Sequence, residues 1–146
     1  MAINIRPFQQ TDVAAVVRLS GQLGYPSSAQ ALADRAAELL ASSSDAIFVA
    51  AGEADRVIGW IHIARRVLLE SGPFAEILGL VVDEADRGHG VGRELVAQGE
   101  SWACGAGLAE IRVRSNVIRD AARRFYERQG YGVAKQQAVF KKALVN

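Results

Sequence analysis

The residues of this chain best placed to do chemistry are Arg87-Gly88-His89-Gly90-Val91-Gly92. They follow an apolar run, Glu76-Ile77-Leu78-Gly79-Leu80-Val81-Val82, across the polar link Asp83-Glu84-Ala85-Asp86. They open a stretch of helical periodicity that begins Arg93-Glu94-Leu95-Val96. A strand that turns through glycines into a helix N-terminus suits a phosphate group. Glycine lets backbone N–H groups approach the anion, and the helix end supplies unpaired donors and a positive dipole. Spacing narrows the ligand. A P-loop requires Lys and then Ser or Thr after its second glycine, and nothing of that kind follows Gly88 or Gly90. A G-x-G-x-x-G fingerprint would need glycine at Arg93 or at Leu95. What remains is Arg-x-x-Gly-x-Gly, with an extra glycine at 88.

The elements that must hold this loop can be read from periodicity. Ala2 to Phe8 alternates as a strand. Thr11-Asp12 start a helix with Val13, Val16, Val17 and Leu23 at helical spacing, broken by Gly24-Tyr25-Pro26. Ser27 or Ser28 caps a second helix that carries Leu32, Ala36, Leu39 and Leu40 on one face. Ser42 to Asp45 is a loop. Strands follow at Ala46–Ala51 and Val57–Arg65, joined by a hairpin turn at Gly52–Arg56. Val67 to Pro73 reads as a connector. Then come the Glu76 strand, the glycine loop, a helix to about Cys104, and a strand at Ile111–Arg114. A helix over Ala121–Gln129 is stopped by Gly130, and Tyr131–Leu144 reads as β-rich. The order β-α-α-β-β-β-α-β-α-β(β) predicts an α/β fold, a mixed sheet with helices on both faces.

Composition bounds the function. A chain of 146 residues, half of them apolar, suits one domain with one core. No apolar run reaches the length of a membrane span, and Met1 to Arg6 lacks a signal-peptide layout. The single Cys104 cannot form an internal disulfide, which fits the cytoplasm. His62 and His89 are far apart and no cluster has metal-ligand spacing, so no metal is expected. A net charge of +1 argues against nucleic acid. Charge is uneven, however. Arg112, Arg114, Arg119, Arg123, Arg124 and Arg128 face only Asp120 and Glu127 in the same stretch. That pattern fits either a solvated face or attraction for a polyphosphate.

The glycine motif resembles the acetyl-CoA pyrophosphate loop of the GNAT N-acetyltransferase superfamily (Gln/Arg-x-x-Gly-x-Gly/Ala), and the element order is the one that resemblance implies. By resemblance, Arg87, Gly88, His89, Gly90, Val91, Gly92 and Arg93 hold the pyrophosphate of acetyl-CoA. The backbone of Leu80, Val81 and Val82 holds the pantetheine arm, with an N–H near Leu80 facing the thioester oxygen. The fold implies that this strand splays from its parallel neighbour, usually at a bulge. Gly79 marks either a bulge, a close backbone approach, or simple packing relief.

A second motif runs from Ser115-Asn116 through Arg119 and Ala122-Arg123-Arg124-Phe125-Tyr126-Glu127 to Gly130-Tyr131. It resembles the C-terminal GNAT signature, in which a helix ends Phe/Leu-Tyr-Glu-x-x-Gly-Phe/Tyr and its tyrosine points at the CoA sulfur. Tyr126 matches that tyrosine, as the group that assists the departing thiolate. Many relatives carry asparagine seven residues earlier, where this chain has Arg119. Asn116, Arg119 and Arg123 therefore share the candidacy for CoA contacts. Glu76 matches the position of a glutamate that serves several GNAT enzymes as base, directly or through water. Asp83 and Glu84 are weaker candidates that balance Arg87 or cap the loop, and His62 is a further, weaker candidate for the cleft.

The implied reaction is direct acetyl transfer in a ternary complex, with Glu76 and Tyr126 catalytic. The expected acceptor is a small-molecule amine, shaped by residues 22–28 and 65–74, where Glu70 could attract a cation. Three other readings stay open at this stage. They are a non-catalytic acyl-CoA sensing domain, acetylation of a protein N-terminus or lysine, and a nucleotide-binding α/β domain that would take ATP or NAD without the pantetheine arm. No membrane partner is expected, and the resemblance allows the β-rich C-terminus to pair across a homodimer.

Overall fold

The computed structural model describes residues 2–114 and 120–145. They fall into two compact units, Met1–Arg114 and Ser115–Asn146. The first contains β1 (Asn4–Pro7), α1 (Val13–Gln22), α2 (Ala29–Leu40), β2 (Asp45–Ala51), β3 (Val57–Leu68), β4 (Gly72–Val82), α3 (Val91–Gly105) and β5 (Ile111–Val113). The five strands form one sheet in the order β1-β2-β3-β4-β5. All neighbours are antiparallel except β4 and β5, which run parallel across the α3 crossover. This is the mixed sheet that the periodicity predicts.

Side-chain alternation sends the two faces of the sheet to different helices. Val49, Trp60 and Val81 lie with Val13, Val16 and Leu19 of α1 and Ala36 of α2. Residues 59, 61 and 63 of β3 point the other way, onto α3. There a Cβ on Gly99 would sit 3.2 Å from both Ile61 Cδ1 and Ile63 Cδ1, so the helix rests directly on the strand. The buried stripe of α3 is Val91, Leu95, Val96, Gly99 and Ala103, the spacing of one helical face. Ser28 caps α2, its Oγ accepting from Ala31 N–H at 3.0 Å.

Two expectations change. The connector at Val67–Pro73 is instead the tip of one long hairpin, since β3 runs on to Leu68 and β4 starts at Gly72. Gly72 supplies the left-handed turn at φ +71°. Pro73 pairs with Val67 at a point β5 does not reach, so its missing N–H leaves no bond unmade. In the second unit α4 spans Asp120–Arg128, as expected within one residue. The β-rich reading of Tyr131–Leu144 does not hold, because residues 131–145 are in neither helix nor strand. Strand propensity needs a partner edge, and the described part of this unit contains no other strand.

Candidate active site

The end of β4 is anchored by Asp83. Its N–H donates to Ile58 O at 2.8 Å. Its carboxylate accepts from Arg18 Nη1 (2.7 Å), Arg56 Nη2 (3.1 Å), Gln22 Nε2 (3.3 Å) and Ala85 N–H (3.2 Å). The Arg18 hydrogen bond leads the forces that hold this carboxyl below the usual carboxylate range, against burial, which pushes it up. Asp83 thus caps the loop as expected, but it balances Arg18 and Arg56 rather than Arg87.

Arg87 instead donates from Nε to Val82 O at 3.3 Å. Gly88 and Gly90 both adopt φ +84°, which a side chain would strain. Gly90 is the N-cap of α3, and the first helical bond runs from Glu94 N to Gly90 O at 3.0 Å. The N–H groups of Val91, Gly92 and Arg93 precede that bond and have no acceptor within the helix. A Cβ at Gly88 would meet open space. Arg87, His89 and Arg93 are exposed, and among the described residues no carboxylate forms an ion pair with Arg87 or Arg93. Backbone donors, a fifteen-residue helix dipole and two guanidiniums without an ion pair among the described residues therefore lie at one end of α3, which fits a pyrophosphate.

Before this loop, β4 parts from β5. Pairing covers only Ala75 to Ile77 against Ile111 to Val113, so from Leu78 onward that edge of β4 has no strand partner among the described residues. The register against β3 also slips here. His62 pairs with Gly79 and Ile63 with Ile77, which leaves Leu78 as the extra residue of a bulge. The bulge exchanges which backbone groups face the open edge. Ala75 N–H points toward β5, bonding Glu110 O at 2.9 Å, whereas Asp83 N–H points toward β3. Alternation back from Asp83 then turns Val81 and Gly79 to β3, and presents the N–H and C=O of Leu80 and Val82 on the open edge. Of the three residues expected to offer backbone groups, Leu80 and Val82 do so on this edge and Val81 faces β3. Gly79 sits beside the bulge and is also a point of close approach. A Cβ there would lie 2.7 Å from Trp60 Cη2 and Cζ3.

Glu76 stands just before the bulge and is buried, 3% exposed. Arg66 Nη1 donates to its Oε1 at 3.1 Å. Arg114 Nε lies 3.1 Å from Oε2, but the N–H is not aligned on that oxygen, which stays a buried acceptor without a hydrogen bond. Arg112, paired in register with Glu76, lays its guanidinium 3.8 Å over the Phe74 ring and donates to Glu110 at 3.1 Å. His62 is turned to Asp45, with Nε2 2.8 Å from Oδ1. Sequence reasoning missed the arginines around Glu76. The only signal was the alternation Arg112-x-Arg114 on a strand, which without the register reads as surface charge. It also splits the supposed arginine stripe, with Arg112 on β5 and Arg114 just after it, and Arg123, Arg124 and Arg128 on α4.

In the second unit, Tyr126 packs edge-on against Phe125 (5.1 Å) and Tyr131 (5.7 Å). The helix ends in paired bonds from Gly130 N to Glu127 O and from Tyr131 N to Tyr126 O, with Gly130 at φ +92°. This C-terminal motif places Tyr131 beside Tyr126. Burial pushes the Tyr126 phenol up to about 12. Arg123 lies 3.7 Å from Glu127, one turn away. Asn116 and Arg119 lie outside the described residues. Among those described, no group of His, Cys, Asp or Glu could hold a metal, and no helix is long and apolar enough to cross a membrane.

Solved structures share this architecture. An aminoglycoside 6′-N-acetyltransferase, AAC(6′)-Ih from Acinetobacter baumannii, superposes with a TM-score of 0.85 at 19% identity, over 99% of this chain and 100% of that one. AAC(6′)-Iy, in complex with the bisubstrate analogue CoA-S-monomethyl-acetylneamine, gives 0.87 at 20% identity, over 99% and 100%. A transcriptional regulator from Bacillus halodurans C-125 gives 0.86 at 20%, over 97% and 100%. Identities this low speak for the fold alone. No curated protein sequence matches the chain. The model of the acetyltransferase (GNAT) family, however, matches residues 15–131, most of the sequence and both of its motifs. With the split β4 edge and the glycine-capped helix beside it, the chain belongs to the GNAT acetyltransferase family.

Proposed function

We propose that this protein, working as a single domain, moves an acetyl group from acetyl-CoA to a primary amine of a small molecule by direct attack. The observation that carries the reading is the edge of β4 that has no strand partner among the described residues from Leu78 onward, and which leads to the donors at the start of α3. A pantetheine arm is a chain of amides, and it can add to that edge as a strand would. The pyrophosphate then meets the helix N-terminus, with Arg87 and Arg93 beside it. The Leu80 N–H, on the open edge, suits the carbonyl oxygen as charge develops on it. Small-molecule aminoglycosides in the names of two structural neighbours support an acceptor of that general size.

The acceptor must lose a proton. An alkylammonium of pKa about 10.4 is only about one part in 10³ neutral at pH 7. Glu76 Oε2, buried and lacking an aligned donor, is the atom suited to take that proton, directly or through one water. The amine nitrogen then bonds to the acetyl carbon, the C–S bond breaks, and its electron pair leaves on the thiolate. Tyr126 is proposed as the hydrogen-bond donor to that sulfur, and Asn116, Arg119 and Arg123 as CoA contacts.

The test is purified protein with acetyl-CoA and a panel of amines, following thiol release and the mass of the acetylated product. Thiol release that depends on an amine is the expected result. Tight CoA binding with no release for any amine would replace this reading with that of a sensing domain.

A further inference from the structure

The charges around Glu76 bear on which amine is accepted. Glu76 has a side chain only 4% exposed, whereas Arg66 (46%), Arg112 (31%) and Arg114 (68%) reach solvent. The three arginines share its face of the sheet, because Arg66 pairs with Phe74 and Arg112 with Glu76. A ligand that approaches the buried carboxylate therefore meets guanidinium first. Of the carboxylates flanking it in the sheet, Asp45 is already engaged with His62 at 2.8 Å and Glu110 with Arg112 at 3.1 Å. A polycationic acceptor would find guanidiniums where it needs free carboxylates.

Building on the acetyl-transfer reading, we infer that the acceptor is an amino carboxylate, its ammonium received by Glu76 Oε2 and its carboxylate by the guanidiniums of Arg66, Arg112 and Arg114. Oε2 is a buried acceptor with no hydrogen bond, so it is matched to a donor that arrives with the ligand. Arg112 is immobilised by stacking on the Phe74 ring, itself 1% exposed. A fixed planar fork suits a carboxylate, which accepts two parallel N–H bonds. Glu76 and Arg112 sit opposite each other on adjacent strands, about 4.8 Å apart along the ladder. The ligand must then carry its two charges only a few bonds apart, as amino acids do. A protein lysine or an aminoglycoside offers no carboxylate at that distance.

The experiment measures acetylation of the common L-amino acids, each beside its carboxamide, with neamine as the polycationic comparison. A charge-assisted contact to a carboxylate is worth about 1.5–3 kcal/mol, so the preferred amino acid should exceed its carboxamide by about 10- to 150-fold in kcat/KM. Arg112→Gln should carry this ratio toward one, chiefly through KM for the amino acid, and Arg112→Lys should restore part of it. Arg66→Gln, which leaves the stack on Phe74 in place, should lower the same ratio and guards against a folding defect in the first variant. Carboxamides or neamine acetylated as well as any amino acid would overturn this inference and leave acetyl transfer standing. Thiol release with no amine at all would remove both.

Discussion

Tyr126 and Glu76 illustrate how environment sets the role of a side chain. A phenol at about 12 stays protonated across the physiological range, so Tyr126 is always a donor. A CoA thiolate, with a conjugate acid near 8.5, is too weak a base to remove that proton. Full transfer would be uphill by about 3.5 pKa units, or about 5 kcal/mol. The role proposed for it is therefore a hydrogen bond to the developing thiolate rather than full proton transfer. Tyr126→Phe should therefore lower kcat by about 10- to 100-fold, the worth of a bond to a charged group. Because a phenol at 12 titrates above the working range, wild type and variant should share the same pH profile from about pH 6 to about pH 10. A basic limb that vanishes in the variant would show Tyr126 titrating instead. Glu76 makes the complementary prediction. Glu76→Gln should cost about 10²-fold at neutral pH and recover as pH approaches the acceptor amine's own pKa, where no base is needed.

At the level of elements, the proposed acetyl-CoA site rests on one bulge and one helix start. The bulge at Leu78 is what turns Leu80 and Val82 outward while β3 pairs with β4 on both sides of it. The glycines at 88 and 90 are what let α3 begin with its donors bare. A residue with a Cβ at φ +84° costs about 1–2 kcal/mol. Gly90→Ala would also bring a carbon 3.3 Å from Arg93 Nη2. We expect it to raise the Kd for CoA by about 5- to 30-fold, measured by calorimetry, with most of the melting temperature retained. An unchanged Kd would mean that the α3 N-terminus does not hold the pyrophosphate. The glycine pattern was legible in the sequence because φ preference is a property of single residues. The bulge was not legible, since Ile77-Leu78-Gly79-Leu80 reads equally well as an uninterrupted apolar strand.

For the whole molecule, two buried aspartates are held by arginines, Asp12 locally by Arg6 and Asp83 across the fold. Asp12 is pushed up by burial but held down, on balance, by Arg6 and the Gln9 N–H. Asp83 joins α1, the start of β3 and the end of β4. Both carboxyls lie below their ordinary range in the folded protein. Their stabilisation is fully present above the unfolded value of about 3.9 and is lost as pH falls through the folded values beneath it. The melting temperature should hold from neutral pH down to about pH 5 and drop steeply below about pH 4. Asp83→Asn should lower it at neutral pH by about 3–8 °C, from hydrogen bonds worth about 1–3 kcal/mol, and should flatten the acid limb. A variant with the same acid limb as wild type would relieve Asp83 of this role.

Sequence alone did not determine the long β3–β4 hairpin or the state of residues 131–145, but it did determine the order of the elements as far as the helix bearing Tyr126, and the glycine loop. Each rests on periodicity or backbone preference among near neighbours in the chain. Only the tertiary structure decided the register. That includes the slip at Leu78, the parting of β4 from β5 after Ile77, and the arrival of Arg66, Arg112 and Arg114 around one buried glutamate. Those contacts join residues up to 38 positions apart, as in Glu76 with Arg114. No local pattern encodes them, because a one-residue change in pairing would send the same side chains to the opposite face.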